Sequence, residues 1–340
     1  MKTGAHILGI ETSCDETAAA VVTDGRVVRS SIVHSQADDH APWGGVVPEI
    51  AGRGHLEAIV PVASRALEEA AMDREDLAGI AVTLRPGLLG SLLVGATAAK
   101  ALSWAWSLPL VGVHHIHAHA YAALMSLEEW EFPYITLIVS GGHTSLYRTT
   151  SPLSHALLGE TRDDAAGEAL DKAANLLGLS YPGGPSIEEA GKNGNPNACP
   201  FKLPLLEPDS LEFSFSGLKT ALLYRVKGPG GKRNEPDLPD APPLEDLCAS
   251  YEHAIARTLA EKCLRACDQE GIPRILVGGG VARNRRLREL LGEMALARGI
   301  QAVFAAPEHC TDNAVMIAGL GHALFEVGET VDLRADVAAS

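Results

Sequence analysis

Cysteine is scarce in this chain: six residues in 340, with no CxxC pair among them. That excludes a disulfide framework and makes a reducing cytoplasm the expected compartment. Cys263 and Cys267 stand four apart in a helical pattern and read as buried thiols. No apolar run approaches the roughly 18 residues of a membrane span. The opening MKTGAHILGIETS stops being apolar at Glu11, too early for a secretory h-region, so no membrane partner is expected. Positive charge is also short, with 28 Lys and Arg against 43 Asp and Glu and a formal net charge of −15. Such a chain is not expected to wrap a nucleic acid alone, because phosphate binding draws on clustered Lys and Arg. The one dense basic stretch, ARNRRLREL with Arg283, Arg285, Arg286 and Arg288, reads as a solvated helix face.

Apolar residues make up 46% of the chain, enough for two domains with sizeable cores. HILGIETSCDETAAAVVTDGRVV reads as strand, polar turn, strand, then an Asp24-Gly25 turn. YITLIVSGGHTSLYRTT repeats that plan from residue 134, which suggests two lobes of one design. Helices are expected over 48–72, 90–107, 163–179 and 244–271, with strands over 77–84 and 108–113. VKGPGGKRNEPDLPDAPP (226–243) is rich enough in Gly, Pro and charge to be a loop or disordered insert. RILVGGGVARN gives a strand, a triple-glycine turn and a helix start. QAVFAAP is another strand, and a last helix is expected to open at Thr311 as its N-cap, with Asp312 in its first turn.

VHHIHAHAYAA places four histidines in six positions inside an alanine-rich run. Read as a helix, it stacks His115 and His119 one turn apart, with His117 pointing away and His114 to the side. A pair at i, i+4 is a usual bidentate arrangement for a divalent ion, though satisfied core or surface histidines fit the pattern equally well. The HExxH protease motif needs Glu after its first histidine, and Ile116 stands there. Asp312 is the best candidate for a third ligand, and two His with one carboxylate leave positions open for substrate or water.

Three glycine-bearing or polar turns come after strands: ETSCDET, VSGGHTS and VGGGVARN. Glycine lets backbone N–H groups approach a phosphate with no Cβ in the way. None of the three fits G-x-G-x-x-G or the P-loop, and a plain tight turn explains each alone. Together, two hairpins and a late glycine turn look like the nucleotide clamp of actin, sugar kinases and Hsp70. That likeness fixes no reaction.

The resemblance becomes specific when the motifs are read in order: GIETSCDET (9–17), GGVVPE (44–49), PGLLGSLLVG (86–95), VHHIHAH (113–119) and VSGGHT (139–144). AGEALDKAANLLGLSYPGGP (166–185), FSFSGLKT (213–220), VGGGVARN (277–284) and CTDNAVMIA (310–318) complete the series. Over nearly its whole length the chain resembles the bacterial tRNA N6-adenosine threonylcarbamoyltransferases, long mislabelled O-sialoglycoprotein endopeptidases.

That resemblance implies an α/β, two-lobed actin-like fold with duplicated mixed sheets and a central cleft. It divides the chain into 1–130, completed by 311–340, and 131–310 with the insert near 226–243. The implied reaction moves a threonylcarbamoyl group from threonylcarbamoyl-AMP to the exocyclic amine of adenosine 37, in tRNAs that read codons starting with A. The implied metal ligands are His115, His119 and Asp312, for one divalent ion, iron ahead of zinc. The donor-binding positions fall on Ile138, Val139, Ser140, Gly141, Gly142, Asp171, Gly184 and Asn284, the adenylate lying between the lobes. Glu11 matches the motif lining the first phosphate-side hairpin and is taken as catalytic. Implied partners are tRNA, a metal-less paralogue that forms a heterodimer, a small ATPase, and the synthase that makes the donor. The helices 48–72 and 90–107, rich in small and apolar residues, suit the paralogue.

Two positions depart from the family. Arg85 replaces the first glycine of TxGPG, in Thr83-Leu84-Arg85-Pro86-Gly87. Pro86 pushes residue 85 toward extended geometry, so a negative φ is expected there; its side chain is either solvent-exposed or bound to a tRNA phosphate. Glu188 stands where some relatives carry Asp, and is left outside the donor site. The rival functions are a metal-dependent peptidase, a small-molecule kinase of the same fold, and a non-catalytic scaffold.

Overall fold

The computed structural model describes residues 4–204, 207–230 and 240–339. The chain divides into two compact units. The first comprises the described residues up to Glu128, Ser151–Ser154 and those from Thr311 on; the second comprises Glu129–Thr150 and His155–Cys310.

The first unit is built on β1 (His6–Glu11), β2 (Glu16–Thr23), β3 (Val27–Ser35), β4 (Leu77–Arg85) and β5 (Leu110–His114), in the order β3-β2-β1-β4-β5. β1 and β2 pair antiparallel from His6↔Thr23 to Glu11↔Ala18, while β4 and β5 add in parallel. The continuous apolar runs of β1, β2 and β4 follow from burial on both faces. β3 lies at one edge of the sheet, and Val27, Val28 and Val33 stay exposed.

Helices α1 (Pro48–Ala70) and α2 (Leu89–Trp106) pack on that sheet; α3 (His115–Leu124) comes directly after β5. Pro48 opens α1 at a position where no N–H is needed. α1 and α2 expose Leu56, Val60, Leu89, Leu93 and Trp104, the last at 76%. A C-terminal helix, Ala314–Glu326, crosses β1. Gly9 permits that approach, since a Cβ there would stand 2.5 Å from the Ala314 carbonyl oxygen. The tail returns along the sheet: Val331 N donates to Leu110 O and Ala338 N to Leu84 O, with Val331, Ala335 and Val337 against the core of Ile80, Val82 and Ala99.

The second unit repeats the plan with β6 (Tyr134–Val139), β7 (Thr144–Ser151), β8 (Ser154–Glu160), β9 (Arg274–Gly278) and β10 (Gln301–Phe304), ordered β10-β9-β6-β7-β8. Again the central strand pairs antiparallel with the next and parallel with the later one. Its helices are α4 (Ala166–Leu176), α5 (Gly183–Ala190), α6 (Ser216–Lys227), α7 (Leu244–Glu270) and α8 (Arg285–Leu296). This duplicated mixed α/β architecture agrees with the two-lobed actin-like class expected from the motifs.

Several details differ from the sequence reading. The last helix is capped by Asn313, whose Oδ1 accepts from Met316 N at 3.0 Å, and not by Thr311. Asp312 therefore precedes the helix instead of lying in its first turn. Val226 and Lys227, assigned to the insert, finish α6, and 231–239 of that insert lie outside the described residues. Arg85 has no positive φ, as expected; it ends β4 with its side chain exposed.

Candidate metal centre and glycine-turn site

In the first unit the parallel register brings the carboxyl ends of β1, β4 and β5 to one edge: Ile10 pairs with Val82, and Thr83 with Val113. Such strand ends are where α/β sheets present ligands. Glu11 ends β1, Thr83 lies near the end of β4, and His115 begins α3 immediately after β5. The alanines of α3 are buried, and that helix packs chiefly on the C-terminal helix Ala314–Glu326.

The ligand atoms of His115, His119 and Asp312 lie within 4.8 Å of one another. Asp312 Oδ1 is 3.4 Å from His115 Nε2 and 3.1 Å from His119 Nε2. Two atoms bound to one tetrahedral ion at ordinary N and O bond lengths stand about 3.4 Å apart, so these spacings fit a small divalent cation. His115 Nδ1 donates to Glu11 Oε2 at 3.1 Å, with Ser13 Oγ at 3.2 Å. A carboxylate only accepts, which puts the hydrogen on Nδ1 and leaves Nε2 for a metal. His119 is wholly buried; among the described residues its Nδ1 has no hydrogen-bond partner. His117 turns away and stacks on His114, ring centroids 4.2 Å apart.

Glu11, assigned a catalytic role from its motif, is fully buried. Its Oε1 accepts from Ser13 N at 2.5 Å, and its Oε2 accepts from Thr83 Oγ1 at 2.6 Å as well as from His115. Its geometry is that of a group that orients His115. The electrostatics match: burial opposes ionisation of Glu11, but His115 beside it keeps its pKa below the ordinary value. Burial opposes a charge on His115 too, yet Asp312 and Glu11 raise its pKa well above the histidine range. Asp312, despite burial, is held well below its ordinary value by His115 and then His119. His119 is pushed down by burial.

In the second unit Val139 runs into the Ser140-Gly141-Gly142 turn, which reciprocal bonds close: Ser140 N donates to His143 O at 2.8 Å and His143 N to Ser140 Oγ at 3.1 Å. Among the described residues, and leaving aside the adjacent residues of the chain, no heavy atom lies within 4 Å of where a Cβ on Gly141 or Gly142 would stand. The N-terminus of α4 packs on the turn, with Gly167 N donating to Ser140 O at 3.2 Å. Gly279, at φ +94°, passes so close to Val139 that a Cβ would meet its carbonyl oxygen at 2.4 Å. Ile138, Val139 and the turn are thereby set beside the glycine run of β9.

The other sequence-chosen positions are engaged within the protein. Asp171 Oδ1 accepts from Gly183 N at 2.7 Å, which fixes α5 and its Gly184 against α4. Asn284 caps α8 and also donates to Glu188 and Glu252; sequence reasoning excluded the first and overlooked the second. The basic stretch is no uniform solvated face. Arg288 donates to Ala282 O and Ala305 O and covers the Phe304 ring, Arg285 lies near Glu188 and Glu289, and Arg286 near Glu252.

Comparison with known proteins agrees with these features. The profile described as tRNA N6-adenosine threonylcarbamoyltransferase matches residues 27–319. Proteins bearing that name from Trichlorobacter lovleyi and Geobacter sulfurreducens are each 50% identical; the alignments cover 98% and 97% of this chain, and 96% and 95% of theirs. That of Anaeromyxobacter dehalogenans is 51% identical over 98% of both chains. Among solved structures, full-length HypF in its phosphate- and nucleotide-bound form matches with TM-score 0.61 at 14% identity, over 95% of this chain and 46% of that one. Component A of Acidaminococcus fermentans (R)-2-hydroxyglutaryl-CoA dehydratase matches with TM-score 0.54 at 16% identity, over 94% and 98%. At such identities these two show the fold alone. With half its residues shared across nearly the full length of these relatives, the chain belongs to the tRNA N6-adenosine threonylcarbamoyltransferase family, enzymes of tRNA modification.

Proposed function

We propose that this transferase moves a threonylcarbamoyl group from threonylcarbamoyl-AMP to the N6 amine of adenosine 37, in tRNAs that read codons starting with A. The amine nitrogen forms a bond to the carbamoyl carbon, the bond from that carbon to the phosphate oxygen breaks, and AMP leaves with the electron pair. One proton is lost from the amine. The observation that carries the reading is the convergence of His115, His119 and Asp312 with Glu11 bracing His115.

A divalent ion held by those three side chains, iron or zinc, would supply Lewis acidity to the carbonyl and a seat for the threonyl moiety. Glu11 fixes the His115 tautomer, and Thr83 and Ser13 fix Glu11. The open backbone of Gly141 and Gly142, at the N-terminus of α4, suits the donor phosphate. Ile138, Val139, Asp171, Gly184 and Asn284 would complete the adenylate site. A peptidase reading gains nothing, since Ile116 is buried where the general base would stand and Glu11 is wholly occupied.

The exposed apolar residues of α1 and α2 suit a paralogue lacking the metal ligands, and a small ATPase and the donor synthase would act in the same pathway. The test is incubation with threonylcarbamoyl-AMP and unmodified tRNA, followed by mass spectrometry of the nucleosides, with those partners supplied. N6-threonylcarbamoyladenosine should form with the wild type and not with His115→Ala. Its absence with the wild type would sink the reading.

A further inference from the structure

His115 and His119 are framed by the one-turn spacing of α3. Asp312, whose Oδ1 faces both imidazoles, has no such frame. It lies in Thr311-Asp312-Asn313, outside any helix or strand, just before the C-terminal helix Ala314–Glu326. A ligand on such a segment loses conformational freedom when it binds, unless the protein has fixed it beforehand. Two features fix it. Gly9 of β1 sets the depth of the helix start, since a Cβ there would stand 2.5 Å from Ala314 O and 2.7 Å from Ala318 N. The other is the side chain of Asn313, 1% exposed. Its Oδ1 accepts from Met316 N at 3.0 Å, on the helix side of Asp312, and its Nδ2 donates to Thr311 O at 2.7 Å, on the other side. The N–H of Met316 only donates and the carbonyl of Thr311 only accepts, so the partners permit a single amide orientation. A helix cap needs the oxygen alone. The bond from the nitrogen adds nothing to the cap and ties the turn that carries Asp312.

We propose that Asn313 is a positioning residue of the metal centre: its amide bridges Thr311 and Met316 across Asp312 and holds that carboxylate toward His115 and His119. This rests on His115, His119 and Asp312 binding a divalent ion, as proposed above. Glu11 braces His115 through a direct side-chain bond, whereas Asn313 braces Asp312 through the backbone on either side of it. Ligands set in advance give up little freedom on binding, so the bridge raises affinity for the ion. One side chain thus does two separable things: its oxygen starts the helix, and its nitrogen aims the ligand.

Metal-free protein, as the full chain, would be titrated with zinc ion against a competing chelator, and its thermal melting followed in parallel. Asn313→Ala removes cap and bridge together and should lower both zinc affinity and melting temperature. Asn313→Ser keeps an oxygen for Met316 N, and serine caps helices about as well as asparagine. Its one hydroxyl cannot also stand where the amide nitrogen stood. The serine variant should therefore recover the melting temperature and not the affinity. Its affinity should stay about ten- to a hundredfold below wild type, the range for losing a group behind a metal ligand. A residue that only capped the helix would have both restored together. Wild-type zinc affinity in Asn313→Ser overturns the proposal, and so does a loss of affinity that tracks the loss of stability in both variants. Should Asn313→Ser fail to fold, Asn313→Thr replaces it, because the extended backbone there (φ −154°) suits a β-branched residue. Wild-type affinity in that variant has the same consequence. Wild-type protein that binds no zinc overturns the metal reading beneath this inference.

Discussion

The two units share a strand order and present opposite kinds of chemistry. The first gathers side chains: Glu11, His115, His119 and Asp312 converge at one sheet edge, held by Ser13 and Thr83. The corresponding turn of the second gathers backbone, with Gly141 and Gly142 open and Gly279 pressed on Val139. A topology repeated twice thus supports a charged ligand cage in one copy and a backbone cradle in the other. One difference lies in the turn after the central strand. β1 ends in Glu11, whose carboxylate braces His115, whereas β6 runs into the Ser140-Gly141-Gly142 turn.

Breaking the cage should have the largest effect. His115→Ala or Asp312→Ala should abolish both metal loading and transfer while the protein stays folded, read by metal analysis, nucleoside mass spectrometry and circular dichroism. Glu11→Gln weakens the brace without removing a ligand. It should lower metal affinity by about ten- to a hundredfold, as loss of a group behind a ligating histidine does, measured by competition with a chelator. Breaking the cradle should leave the metal in place. Gly142→Val fills space that is open in the protein, so a loss of AMP affinity worth about 1–3 kcal/mol would report the phosphate and not a misfold.

Acidity sharpens the contrast at the cage. Asp312 and Glu11 raise the pKa of His115 in the metal-free protein despite its burial. A raised pKa contributes stability below the ordinary histidine value that is lost as pH climbs through the folded value. Metal-free protein should therefore lose stability as pH rises above neutrality, and metal affinity should increase over the same range as the proton leaves. Thermal melts with and without chelator would show it; parallel pH curves for the two forms would contradict it. The smallest effect belongs to Arg85, exposed at the end of β4. Arg85→Gly should leave tRNA affinity and its salt slope unchanged, and a slope shallower by about one contact would put a phosphate there.

Much of this was legible in sequence wherever one local signal sufficed. The apolar runs of β1, β2 and β6 and the i, i+4 histidines each follow from a single period. β3 was not, because an edge strand exposed along most of its length reads VVRSSIVHS, with serines where a core strand would be apolar. The last helix was misplaced by two residues because Thr311 and Asn313 are both competent caps, and only the bond to Met316 N separates them. Glu252 was invisible for a different reason. It sits inside a long helix among ordinary helical residues, and its partner Asn284 is thirty-two positions away.

The central claim is that the cage and the cradle bind different things, and one paired measurement tests it most directly. Metal content and AMP affinity would be determined on the same preparations of wild type, His115→Ala and Gly142→Val. The account predicts that His115→Ala loses its metal and keeps its AMP affinity, while Gly142→Val keeps its metal and loses its AMP affinity. A substitution in one unit that abolished neither ligand, or each that abolished both in folded protein, would contradict it.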